Sequence, residues 1–417
     1  MISAEIMKLK YGKFKPIRYL KRVHYQLRKN VVNYFYPIPP KLLILLFLVL
    51  LTPIGLAATP TPQSGLLLGL TRVEAGKPVT YRSLWIAPVN GKLTCLVRKN
   101  GIVAPCGDEF WEVKVRRIQE EKFVPEQNHQ IAQDLNDYEY KIDIEQVYAH
   151  PLAKPATPNF DRRELPSFDE QEEGYPSFHY QSWWRQLMYV GNRYICIYEH
   201  DRIETGGSMR AGGYSIGLHE IEKLNTVGSE LKIQELLSNG VQPQLREFHK
   251  RFDKIIDRYL VNQNYVQTET TQRVNEQNIS IGRVDGSWYA YLPVEQDFVH
   301  YSNGTRFNYP KEFVKLNTKL PQVITSHDQL CLPWAVIGKR FPEGLDAVSA
   351  PNGDLLIVLT DREILVFAFP LQTLDRPNLR IPIHHGEYFI LNQWATGKYV
   401  NKWTEMLAKY FYNITGS

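Results

Sequence analysis

Residues 83–106, SLWIAPVNGKLTCLVRKNGIVAPC, carry two Asn-Gly pairs ten residues apart, Asn90-Gly91 and Asn100-Gly101. In a two-residue type I′ turn both central residues take positive φ, which Asn and Gly do at least cost. The segments between the pairs are short and rich in residues that suit a pleated, half-buried surface. They read as a β-meander, and Phe110–Ile118 (FWEVKVRRI) continues it by strict alternation. A two-residue loop at Asn100-Gly101 sets Lys99 opposite Ile102 and therefore Cys95 opposite Cys106. Residues so paired have Cα atoms about 5.5 Å apart, within reach of a disulfide. The register thus predicts a Cys95–Cys106 bond; the alternative is two reduced, half-buried thiols. Pro105 cannot donate to a ladder, so its strand belongs at an outer edge. Nothing pairs Cys196 with Cys331.

Working outward, further hairpins are marked by Gly191-Asn192, Asp285-Gly286 and Asp361-Arg362, each between two apolar or alternating runs. The last joins LLIVLT to EILVFAF, an apolar pair that belongs at the centre of a core. A helix is expected over Pro243–Leu260, where Leu245, Phe248, Phe252, Ile255, Ile256 and Tyr259 form one stripe. A C-terminal helix is expected around Tyr399–Phe411, with Val400, Trp403, Leu407, Tyr410 and Phe411 inward. Residues 124–180, rich in Pro and acids, read as a linker or a long surface excursion. The fold class is α+β: β-rich hairpins and meanders, one packed amphipathic helix and a C-terminal helix. Hairpins at this spacing also suit a degenerate β-propeller.

The net charge of +5 conceals an asymmetry. Residues 1–41 hold ten Lys and Arg against Glu5, leaving 39 basic and 43 acidic residues beyond. The bulk is mildly acidic and gives no basis for nucleic-acid binding. The basic segment precedes the apolar run Leu42–Ala58, and flanking Lys and Arg stay on the cytoplasmic side. Residues 1–41 are therefore expected in the cytoplasm and 42–58 in the membrane, as a single-pass anchor or a cleaved signal; an organelle transit peptide is a third reading. Beyond them come a meander over 59–123, the linker over 124–180 and an extracytoplasmic domain over 181–417.

One stretch resembles a known family. The order Arg193–His200 (RYICIYEH), Gly206-Gly207, Tyr214–Ile221 (YSIGLHEI), Leu231–Leu237 and an amphipathic helix is similar to the extracytoplasmic domain of lysozyme-sensing anti-sigma factors. That family follows its Gly-Gly turn with Ala-His, where this chain has Ser208-Met209. The resemblance covers about a third of the chain. It implies an α/β sandwich that recognises a component of the cell envelope, and it transfers no site residue.

No nucleophile elbow, phosphate loop or H-E-x-x-H motif occurs, and no catalytic residue, metal ligand or cofactor is assigned. His384-His385-Gly386-Glu387 is the closest His/carboxylate cluster, but neighbours on a strand point to opposite faces and do not share a metal. Trp183, Trp184 and Trp394 are candidate platforms for a sugar ring, although strand tryptophans belong more often to a core. The sequence favours an envelope protein binding a protein or glycan, with the membrane as its other partner. The alternatives are a polysaccharide-modifying enzyme, which requires His384, Glu387 and Asp285 to converge, and a structural subunit of an envelope complex.

Overall fold

The computed structural model describes residues 62–74, 77–124, 138–154, 179–205, 208–224, 231, 237, 239–260, 266–300, 305–368, 374 and 376–413. All belong to the second of two units, Met1–Pro60 and Thr61–Ser417. The membrane-spanning helix expected from the sequence is not among them: no helix of the described residues is long and apolar enough to cross a membrane. The segment Leu42–Ala58 and the basic residues before it lie outside them.

In chain order the strands are β1 (Ser64–Arg72), β2 (Thr80–Val89), β3 (Lys92–Lys99), β4 (Ile102–Cys106), β5 (Glu109–Val124), β6 (Tyr138–Pro151), β7 (His179–Val190), β8 (Tyr194–Thr205) and β9 (Ser208–Glu220). Helix α1 (Gln242–Phe252) follows, then β10 (Lys254–Leu260), β11 (Val266–Val274), β12 (Ser280–Val284), β13 (Ser287–His300) and β14 (Thr305–Lys315). Helix α2 (Trp334–Arg340) leads to β15 (Asp346–Ser349), β16 (Leu355–Leu359), β17 (Glu363–Ala368), β18 (Leu379–Pro382) and β19 (Glu387–Thr396). Helix α3 (Lys398–Leu407) and the short β20 (Tyr412–Asn413) close the chain. The strands form three open sheets and the class is α+β, β-rich, as the hairpin signals indicate.

The five-stranded sheet, ordered β19-β1-β2-β3-β20, is the middle layer. Strand β1 explains why. In SGLLLGLTR, Leu66, Leu68 and Leu70 face the four-stranded sheet β15-β16-β17-β18, where they meet Ile357, Leu359, Ile364 and Val366. Leu67 faces the other way, toward Ile102, Val113, Leu187 and Ile197 of the eleven-stranded sheet. Glycines share that second face. A Cβ on Gly69 would lie 2.8 Å from Leu391 Cβ on the neighbouring strand β19 and 3.2 Å from Ile102 of β4, so only glycine fits there. Strand β8 has the same double burial, with Ile195 and Ile197 in the core shared with β1 and α3, and Tyr194 and Cys196 in a second core with α1, β12 and β13.

Several expectations hold in register. Asn90-Gly91 and Asp285-Gly286 both take positive φ at both positions, as type I′ turns require. The first joins β2 to β3 and the second β12 to β13. Strands β16 and β17 pair across Asp361-Arg362, and their residues are buried almost throughout.

The second Asn-Gly pair departs from expectation, and with it the disulfide. Asn100 has φ 63°, but Gly101 does not take positive φ, so the turn is not type I′. The chain instead steps from one sheet to another: β3 pairs with β2 and β20, whereas β4 pairs with β5. Cys95 is buried among the residues facing the four-stranded sheet, and Cys106 lies on the other sheet with its thiol 3.6 Å from Glu222 Oε1. All four cysteines are free thiols. Burial pushes Cys95 up to about 12, and burial together with the Glu222 carboxylate pushes Cys106 up to about 11. Pro105 does stand on an edge, since β4 ends the strand order of its sheet.

The helix expected to reach Leu260 stops at Phe252. Asp253 turns extended with ψ 114°, its N–H closes the last turn on His249 O, and its Oδ1 accepts Val274 N–H at 2.8 Å. Beyond it β10 pairs with β11, so Ile255 and Ile256 extend a strand instead of a helical stripe. Part of the expected linker is also structured: Tyr138–Pro151 pairs with β5 from Trp111↔Pro151 to Val124↔Tyr138. The boundary expected between 59–123 and 181–417 is bridged by one core that includes Leu67, Phe110, Val147, Ile197, Ile390 and Leu407.

Two outcomes follow. Leu67→Ala removes a side chain buried between two sheets and is expected to lower unfolding free energy by about 2–5 kcal/mol, read from denaturant melts. Alkylation of the denatured, unreduced protein should modify all four cysteines; a thiol count of two would restore the bond between Cys95 and Cys106.

Candidate functional site

The three tryptophans singled out from the sequence do not form one site. Trp183 and Trp184 are neighbours on β7 and point to opposite faces. Trp184 stacks on His200 of β8, ring centroids 5.4 Å apart at 12°, and Arg185 stands 6.0 Å over the Trp183 ring. Burial lowers the His200 pKa and keeps the stack neutral. Trp394 lies on β19 opposite Leu66 and packs against the core between the middle and four-stranded sheets.

Trp394 also lines a groove of about 330 Å³, with Pro105 to Phe110 on one wall and α3 on the other. Its lower end is formed by Ala395 and Thr396. On α3 the lining residues Tyr399, Lys402, Trp403 and Met406 recur at i, i+3, i+4 and i+7, one stripe of the helix. Val400 and Leu407 face the core and hold that stripe outward. Trp403 is fixed by a T-shaped contact with Phe110 at 5.1 Å and a tilted one with Trp85 at 5.6 Å. Trp85 Nε1 donates to Thr404 Oγ1 at 3.0 Å and ties the helix to β2. The opposite wall is the β4–β5 turn, where Gly107 takes φ 58° and presents Asp108 and Glu109.

The stripe on α3 was present in the sequence, but Trp403 was assigned there wholly to the core. The facing wall gave no signal, because nearly 300 residues separate Asp108 from Trp403 and only sheet stacking brings them together.

The cluster required by an enzyme is not assembled. Glu387 accepts Arg82 Nη2 at 2.6 Å and its own turn's His384 N–H at 2.8 Å. His385 reaches Asp361 at 2.6 Å on the surface, and Asp285 occupies the β12–β13 turn in another sheet. Among the described residues no group of three or more His, Cys, Asp or Glu stands in a metal-binding arrangement. Asn278 is committed at both ends of its amide, donating to Glu295 at 2.9 Å and accepting Ile216 N–H at 3.2 Å.

A buried polar joint connects the three sheets. Arg283 of β12 pairs with Asp346 of β15 at 2.7 Å and with Asp328 at 3.5 Å, and stacks on Trp288 at 4.7 Å. Trp288 N–H donates to Asp328 at 2.7 Å and Trp288 Nε1 to Asn392 of β19 at 2.6 Å. The joint is filled by its own side chains and is structural. Burial raises Asp328 to about 6, against the lowering effects of Arg283 and of the Trp288 N–H. A carboxyl raised in the fold binds a proton that the unfolded chain has already lost, so its contribution falls as pH rises from about 4 through about 6. Asp328→Asn is therefore expected to gain stability relative to wild type as pH increases across that window, read from paired melts. A constant difference between pH 4 and 7 would mean that Asp328 titrates as an ordinary carboxyl.

No family model matches this chain, and neither does any curated protein or solved structure.

Proposed function

We propose that residues 62–413 form a non-catalytic binding module whose site is the groove between α3 and the β4–β5 turn. The observation that carries this reading is the groove itself: a concave surface of ligand size in which rings that the core holds rigid stand beside polar and charged groups. Tyr399, about half exposed, adds a ring at the mouth. Aromatic faces of this kind accept a sugar ring or an apolar peptide side chain with little loss of their own freedom. The location we propose is outside the cytoplasmic membrane, on the strength of the basic segment and the apolar run in the first 58 residues. The resemblance of residues 193–260 to an envelope-sensing domain points the same way.

A second reading, a structural subunit, draws on β10. It ends the strand order of the eleven-stranded sheet, and Ile255 and Ile256 are 51% and 40% exposed. An edge of this kind accepts a partner strand.

Calorimetric titration with chito-oligosaccharides and short peptides tests the first reading. Tyr399→Ala should weaken binding about tenfold or more without lowering the melting temperature, since the ring is outside the core. Binding that is indifferent to Tyr399 and lost on Trp184→Ala would move the site to β7 and refute the groove. Protease added to intact cells should reach the module if it is exported.

A further inference from the structure

The rim of the groove is charged in a pattern that its aromatic floor does not explain. Asp108 and Glu109 are exposed on the β4–β5 wall, and Lys402 is exposed on the α3 wall. All three line one cavity, yet none of their side chains makes an ion pair or hydrogen bond among the described residues. The more buried carboxylates of Glu112, Asp143, Asp297, Asp346 and Glu387 are each held by an arginine, whereas the rim carboxylates are left to solvent or to a ligand. A second ammonium, Lys398, stands 5.8 Å from the Tyr399 ring centroid.

Opposite charges left apart across a groove attract a ligand that carries both signs in the reverse order. Each lone exposed ion pair contributes about 0–1 kcal/mol, but two acting on one ligand fix its direction and reject a ligand of the wrong polarity. Between the two walls lie Phe110, Trp403 and Met406, which suit an apolar body. A positive end has a further attraction here, since an ammonium near an aromatic face is drawn to the ring quadrupole.

We propose that the groove takes a zwitterionic ligand of the amino-acid or short-peptide class, its ammonium against Asp108 and Glu109, its carboxylate against Lys402, and an apolar side chain between them. This rests on the reading of the groove as a binding site and specifies its ligand chemistry. A volume of about 330 Å³ is at the lower end of ligand pockets and accommodates two or three residues.

The test uses purified full-length protein and four forms of one tripeptide, Gly-Phe-Gly: free, N-acetylated, C-amidated and blocked at both ends, with chitotriose as a neutral sugar. Calorimetry should show the free peptide binding tightest and each single block weakening it by up to about fivefold. Lys402→Gln should abolish the difference between free and amidated peptide while keeping the difference between free and acetylated. The pair Asp108→Asn with Glu109→Gln should do the reverse. These residues are exposed, so the variants should fold, which unchanged melting temperatures will verify. If the doubly blocked peptide or chitotriose binds as tightly as the free peptide, and Tyr399→Ala abolishes that binding, the zwitterion proposal falls and the groove reading stands. If no probe binds, or binding ignores every groove substitution, both fall.

Discussion

The pairing of β1 with β19 is the contact on which the rest of the molecule depends. It joins Ser64 to Thr396 and Arg72 to Glu387, and it adds β19 as the end strand of a sheet whose β1 is buried on both faces. Burying a leucine side chain is worth about 1.5–3 kcal/mol, and Leu66, Leu67, Leu68 and Leu70 are all fully buried. Because alternate residues serve different cores, the loss of register by one position would invert both interfaces at once. The bulge between Gly69 and Leu70 sits where the strand must accommodate Leu391 closely, and it fixes that register.

The layered arrangement also sets the site. Helix α3 is capped by Gly397, whose N–H donates to Gln63 O at 2.9 Å, so the helix starts where β19 ends and β1 begins. Its inward residues complete the core beneath the β4–β5 turn, and its next stripe forms a wall of the groove. The position of each lining residue is thus inherited from sheet packing. The polar joint around Arg283 performs a comparable task elsewhere, linking β12, β15 and β19 through directional bonds where apolar surface alone would leave orientation free.

What could be read from the sequence follows a physical division. Local geometry was legible: Asn90-Gly91 and Asp285-Gly286 each demand positive φ at both positions, and each forms the turn that this requires. Asn100-Gly101 carries the same dipeptide yet turns differently, because β4 gains more by pairing with β5 than by folding back on β3. The apolar stripe past Phe252 was legible as amphipathic, but pairing with β11 overrode it. Strand β6 was missed although Tyr138, Tyr140, Ile142 and Ile144 alternate with polar residues; its Pro-rich neighbours masked the period. Of the proposed ligand residues only Trp394 lines the groove, since a site assembled from β4, β19 and α3 has no local signature.

The β1–β19 ladder has a temporal side. Strand β1 leaves the ribosome first, and the strand that completes its sheet follows roughly three hundred residues later, a delay of about 15–60 s at ordinary rates of synthesis. Throughout that interval a run of leucines that β2 pairs along one edge has its other edge still open. Folds closed by their two ends have high contact order and fold slowly for the same reason. The open edge of β1 is therefore sealed last, and the late arrival of β19 turns a leucine strand at a sheet margin into the interior of the molecule.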